Sequence, residues 1–185
     1  LDRLSGGRLT LGVGIGWDRT EFDAVGADFR TRGARTDEAI ALVRHLFGGG
    51  RGPFTGRFYG YDDGVFEPRP TGPIPIMVGG VSERALRRAA ELADAWQGVG
   101  LTPTRFAECV SVLRELTDRP LRVSTRVSWT GGAAELERTV TDLQAFAAAG
   151  AHAVAVWFGD ADGCAERMAE FAARWDTGST SPPEG

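Results

Sequence analysis

The sequence predicts an α/β fold built on a parallel sheet, and three observations carry the prediction. Short β-branched and apolar runs alternate with longer amphipathic stretches. The runs are apolar almost throughout, as parallel strands covered by helices must be. Glycines close several of the helical stretches. Five strands alternate with helices in this way, and similarity among the units is too low for a tandem repeat. Periodicity alone leaves an open doubly wound sheet and part of a barrel both admissible.

The elements follow in order. Leu1-Asp2-Arg3-Leu4-Ser5-Gly6-Gly7-Arg8 reads as the last turn of a helix with glycines at its C-cap. A strand from Leu9 to Ile15 comes next, in which Gly12 and Gly14 remove side chains near its end, a pattern that goes with close approach of a ligand or another backbone. After a loop from Gly16 to Arg30, the helix Thr31 to Phe47 places Ala39, Ile40, Val43, Leu46 and Phe47 on one face and stops at Gly48-Gly49-Gly50. An irregular excursion through Phe54, Phe58, Tyr59, Tyr61 and Phe66 closes on Pro68, Pro70, Pro73 and Pro75, and its length suits a functional loop or lid.

From Ile74 the rhythm is regular: strand Ile76–Val78 and helix Glu83–Asp94, then strand Ala95–Val99 and a helix capped by Thr102 and Pro103. Strand Leu121–Trp129 leads to helix Ala133–Ala149, and strand Ala151–Phe158 to helix Cys164–Trp175. Residues 1–175 are therefore expected to form one domain, and the Ser/Thr/Pro-rich stretch 176–185 a disordered tail.

Composition narrows the function classes. With 185 residues, a net charge of −4 and arginines scattered along the chain, no nucleic-acid footprint is expected. No apolar run approaches the roughly 18 residues of a membrane span, so neither a span nor a signal peptide is expected and the cytoplasm is the default location. Cys109 and Cys164 lack CxxC spacing and only His45 and His152 accompany them, which argues against a disulfide framework or a metal site.

Three stretches could carry chemistry. In Gly12-Val13-Gly14-Ile15-Gly16-Trp17-Asp18, a GxGxG run at a strand end lets a flat or phosphorylated ligand lie against the backbone, although the dinucleotide fingerprint GxGxxG is not met; a tight βα turn is the alternative. In Val78-Gly79-Gly80-Val81-Ser82, helix N-terminal N–H groups and the Ser82 hydroxyl can face a phosphate; a capped helix and nothing more is the alternative. The aromatic excursion could cover a planar cofactor or apolar substrate, or pack on its own domain. Arg84, Arg87 and Arg88 read as a solvated helix face, His45 as a surface residue, and His152 as a core or rim histidine, while Arg126 and Ser128, on the polar face near the end of their strand, could touch ligand at a barrel mouth. No Ser-His-Asp or Cys-His set is present to propose.

Taken in series, Leu1 to Arg8, Leu11 to Trp17, Arg32-Gly33-Ala34-Arg35-Thr36-Asp37-Glu38, Gly56-Arg57-Phe58-Tyr59, Pro68-Arg69-Pro70 and Ile74 to Gly80 closely resemble the bacterial luciferase-like monooxygenase family, and within it the F420-dependent oxidoreductases. The resemblance covers nearly the whole chain to Trp175. It implies a partial TIM (β/α)8 barrel whose five βα units correspond to strands 4–8, with an irregular insertion before the second strand here. It also implies coenzyme F420, or alternatively FMN, held by Gly14, Ile15, Gly16 and Asp18 at the ring and by Val78, Gly79, Gly80 and Ser82 at the phosphate, with Trp17 and Tyr59 shaping the cavity of a small-molecule substrate. The family often has asparagine where Asp18 stands. Strands one to three of the family barrel have no counterpart before Leu1, so a fragment of a longer protein or a truncated, non-catalytic barrel is the alternative to an active oxidoreductase. Unpaired edges at Leu9–Ile15 and Ala151–Phe158 lead to an expectation of self-association, including a homo-oligomer.

Overall fold

A computed structural model describes residues 1–50 and 52–178. Its elements are α1 (Asp2–Ser5), β1 (Leu11–Val13), α2 (Arg19–Ala24), a 3-10 turn (Phe29–Thr31), α3 (Arg32–Phe47), β2 (Phe54–Thr55), β3 (Gly60–Tyr61), β4 (Ile76–Gly79), α4 (Glu83–Leu92), β5 (Ala95–Val99), α5 (Pro103–Leu116), β6 (Arg122–Ser128), α6 (Ala133–Ala148), β7 (Ala153–Trp157) and α7 (Cys164–Gly178). Five strands form a parallel sheet in the order β1-β4-β5-β6-β7, and β2 pairs with β3 as a separate antiparallel ribbon. Each sheet strand neighbours the next along the chain, the pattern of successive βα units. Among the described residues no helix is long and apolar enough to cross a membrane.

The chain divides into two compact units, residues 1–96 with 116–121, and the remainder. In the first, α4 lays Ala85, Leu86, Ala89 and Ala90 against a buried group that includes Ile76, Val78 and Trp96, of which Ala89 and Trp96 are fully enclosed. Polar groups fix this packing. Asp94 Oδ2 accepts from the Ile76 N–H at 2.8 Å and from Arg44 Nη2 at 2.8 Å. Arg119 donates to the carbonyls of Glu91 and Ala93, at 2.8 and 3.0 Å, and so satisfies acceptors that the end of α4 leaves open. In the second unit, Trp129, Leu136, Val140, Leu143 and Phe171 form a core against which Val127, Val154, Val156 and Phe158 pack.

β5 has the expected bounds and β4 runs one residue further, to Gly79, while β1, β6 and β7 are shorter than the apolar runs that announced them. β1 covers Leu11–Val13 instead of residues 9–15, because its partner β4 has only Ile76–Gly79 to offer and the ladder starts where the proline-closed excursion ends, with Leu11 N–H donating to the Pro75 carbonyl at 2.9 Å. The expected loop 16–30 contains α2 and the 3-10 turn, capped by Asp18 and Asp28, whose carboxylates accept from the N–H groups of Thr20 and Arg30. The excursion is not wholly irregular either, since it folds into the β2–β3 hairpin. The final helix continues to Gly178, and residues 179–185 of the expected tail lie outside the described residues.

Candidate functional site

β1 and β4 run parallel in register, Leu11 beside Ile76, Gly12 beside Met77 and Val13 beside Val78. Side chains alternate across a strand, so Leu11, Val13, Ile76 and Val78 share one face. That face meets the helices: Ile76 and Val78 are each 1% exposed. Gly12 and Met77 face the other way, and Gly14 and Gly79 continue that face just beyond the last paired residues. The structure thus sets the two glycine turns of the sequence side by side at the C-terminal end of two neighbouring strands. On the open side of the two paired strands, Met77 stands among Gly12, Gly14 and Gly79.

The glycines of the two turns differ in why they are there. Gly16 has φ +75°, and a Cβ on it would lie 2.6 Å from the Phe22 ring. Gly80 has φ +106°, and its Cβ would lie 2.9 Å from the Ala85 methyl. Both are required by the chain's own turn and packing. Gly14 has no left-handed backbone, and a Cβ there would meet no atom within 4 Å. The space beside Gly14 is open.

The remaining predicted residues have definite places. Ser82 Oγ accepts from the Ala85 N–H at 3.3 Å and caps α4, while the Gly80 carbonyl accepts from Trp96 Nε1 at 2.8 Å. Asp18 caps α2 through Thr20 N at 2.8 Å. Trp17 is 85% exposed. Ile15, Gly14 and Tyr59 line a cavity of about 260 Å³ with Leu11, Val13, Ala39, Ile40 and Val43, and Arg32 and Arg35 also border it. This cavity lies on the helix side of β1 and reaches Gly14, so Tyr59 is brought to Ile15 and Gly14 from that side; Trp17 is not among its walls.

Two arrangements escaped the sequence. Glu38 on α3 accepts from three successive backbone N–H groups, Arg57 at 2.9 Å, Phe58 at 2.8 Å and Tyr59 at 2.7 Å. Desolvation raises the Glu38 carboxyl pKa, but the N–H groups of Tyr59, Phe58 and Arg57 outweigh it and hold the carboxyl below its ordinary value. Likewise the Asp2 carboxylate accepts from Thr71 N and Oγ1, both at 2.8 Å, and the Thr71 N–H above all keeps it below the usual range. The Glu38 bonds join two of the motifs that carried the family resemblance, and the Asp2 bonds tie a third to the residue that follows Pro68-Arg69-Pro70. The signal for the first was present: Gly56, whose Cβ would collide with the Glu38 carboxylate, precedes the anchored turn.

Two expectations are corrected. His45 is not a surface residue: its ring packs against Phe54 and Tyr61, with centroids 5.8 and 6.1 Å away, because the β2–β3 hairpin folds over it. Arg88 does not belong to a solvated face, since its side chain is 9% exposed and ion-paired with Asp37. That leaves Arg84, exposed on the first turn of α4, as the available cation beside the second turn. Burial pushes the Cys109 thiol pKa up, which makes it a packing residue and not a nucleophile. Among the described residues no cluster of His, Cys, Asp or Glu is placed to hold a metal.

The C-terminal ends of parallel strands are where βα barrels keep their sites. The profile of the luciferase-like monooxygenase family matches residues 1–178. The chain belongs to that family. An uncharacterized protein of Mycobacterium tuberculosis is 38% identical over 124 residues, 67% of this chain and 43% of that protein. The pyrimidine monooxygenase RutA of Klebsiella pneumoniae is 29% identical over 128 residues, 64% of this chain and 35% of that enzyme. The chain spans less than half the length of these curated relatives. Among solved structures, an F420-dependent secondary alcohol dehydrogenase in complex with an F420-acetone adduct superposes with a TM-score of 0.73 at 15% identity, over 93% of this chain and 71% of that one. A coenzyme F420-dependent tetrahydromethanopterin reductase from Methanopyrus kandleri gives 0.63 at 14% identity, over 90% and 74%. At such identity the likeness speaks for the fold: a TIM-barrel relative, with five βα units here.

Proposed function

We propose that this chain carries part of the cofactor site of an F420-dependent oxidoreductase, with the open glycine face of β1 and β4 as one wall for the ring. The observation that carries the reading is Gly14: neither backbone conformation nor neighbouring atoms demand a glycine there, and it stands beside a second glycine turn at the same end of the sheet. A bound deazaflavin supplies hydride-transfer chemistry, and the protein supplies binding and orientation. Gly12, Gly14 and Gly79 would let a planar ring approach the backbone. The opening N–H groups of α4, after the Ser82 cap, favour an anionic group. Glu83 in that first turn would oppose an anion, but its carboxylate is engaged by Arg87 at 2.8 Å. Arg84 is free to approach the acidic tail that distinguishes F420 from FMN. The substrate is a small organic molecule whose oxidation or reduction is coupled to the ring.

The test is a fluorescence titration of the chain with F420 and, separately, with FMN. The expected result is a saturable response to F420, lost in Gly14→Leu while the thermal melt stays unchanged. A stronger response to FMN, insensitive to Arg84→Ala, would shift the reading to a flavin enzyme. No saturable response to either would overturn it.

A further inference from the structure

β6 and β7 pair in parallel over five residues, with Ser124 beside Ala153, Arg126 beside Ala155 and Ser128 beside Trp157. One face of this pair is core: Val123 and Thr125 are buried, and Val127, Val154 and Val156 pack toward Trp129, Leu136, Val140, Leu143 and Phe171. The opposite face carries Arg122, Ser124, Arg126 and Ser128 on β6, and Ala153, Ala155 and Trp157 on β7. Bulky branched side chains usually fill the corresponding face of a βα barrel. Here the alternation puts serine and arginine in their place, and leaves Trp157 48% exposed. Arg126 is exposed and has no ion-pair partner among the described residues.

We propose that the Arg126–Ser128–Trp157 face binds a small planar carboxylate. Arg126 and Trp157 are one strand spacing apart across the ladder and two residues apart along it, a Cα separation of about 8 Å by strand geometry. That is the span of an aromatic ring bearing a carboxylate. The guanidinium is shaped to take the carboxylate in a bidentate pair. The exposed indole offers a flat apolar surface for the ring, Ala155 keeps the space between them low, and the Ser128 hydroxyl stands beside the indole as a further donor. The site uses no residue of the glycine turns, so its failure leaves the cofactor reading untouched, and the reverse.

Benzoate is the probe, titrated into the full chain with the Trp157 indole N–H resonance assigned by comparison with Trp157→Leu. The expected result is a saturable shift of that resonance by benzoate. Neutral benzamide should give a response at least tenfold weaker. Arg126→Gln should lose the benzoate response at least tenfold, and Ala155→Leu should block it, both with an unchanged far-ultraviolet spectrum and melt. Inorganic phosphate acting as strongly as benzoate would replace the planar-carboxylate assignment with a plain anion site. Absence of a saturable benzoate shift, equal response to benzamide, or wild-type binding by Arg126→Gln would each overturn the proposal.

Discussion

Gly80 and Gly14 sit at the ends of neighbouring parallel strands, yet they are glycines for different reasons. Gly80 answers to the chain: φ +106° and the Ala85 methyl leave no room for a side chain. Gly14 answers to nothing within the described residues. A glycine that internal packing explains says little about ligands, and one that internal packing leaves unexplained points outward. The most direct way to break this comparison is alanine at both positions. Gly80→Ala should cost about 1–3 kcal/mol, the scale of a forced left-handed residue with a close contact. Gly14→Ala should stay within about 0.5 kcal/mol of the parent and should weaken cofactor binding instead. Denaturant midpoints measure the first effect and F420 titration the second. Equal destabilisation by the two substitutions would dissolve the distinction.

The ion pair behind the second turn sharpens the comparison from the side of the helix. Arg88, on the same helix that follows Gly80, is 9% exposed, and Asp37 reaches it from α3 while remaining 42% exposed itself. Asp37→Asn would leave an enclosed guanidinium without its counter-charge, a loss of about 1–3 kcal/mol after allowance for the solvent that Asp37 already sees. Arg84→Ala, on the exposed side of that helix, should leave the melt unchanged. If Arg84→Ala costs more than Asp37→Asn, the helix is held from its outer face and the assignment of Arg84 to ligand has to be withdrawn.

Much of the fold was legible because each βα unit announces itself locally. The strand at 95–99 and the helices at 32–47 and 133–148 follow from apolar periodicity and glycine or threonine punctuation within a few residues. What escaped were the long-range partners. A linear pattern does not pair Asp2 with Thr71 or Asp37 with Arg88, and Gly56 marks a close approach without naming Glu38 as what approaches, because these pairs lie 19 to 69 positions apart. Two of the motifs that carried the family resemblance, at 32–38 and 56–59, are the two ends of the Glu38 bonds. His45 was misplaced for the same reason, as its burial depends on a hairpin of two-residue strands too short to leave a period. Of the candidate site, the juxtaposition of the two glycine turns was legible, while the sorting of Gly14 from Gly16 and Gly80 needed φ angles and neighbouring atoms.

The finest test concerns Gly56, which belongs with Gly80 as a glycine that the chain requires, here to let the Glu38 carboxylate reach the turn. Glu38→Gln keeps one oxygen for the Phe58 and Tyr59 N–H groups, which share Oε1, but turns an amide N–H₂ toward the Arg57 N–H that Oε2 had accepted. At neutral pH the Arg57 amide should therefore exchange its hydrogen several-fold faster in the variant, with smaller changes at Phe58 and Tyr59. Because the folded Glu38 carboxyl has a lowered pKa, its contribution is fully present above the ordinary glutamate value and is lost as pH falls through the folded one. Parent and variant should accordingly converge in acid: below the folded pKa the protonated carboxyl also offers one carbonyl oxygen and one donor. Protection of the Arg57 amide that is equal in both proteins at neutral pH would mean that the turn is held instead by the Arg35 guanidinium, which lies 5.7 and 5.8 Å from the Phe58 and Tyr59 ring centroids, and that Gly56 is not required by the carboxylate at all.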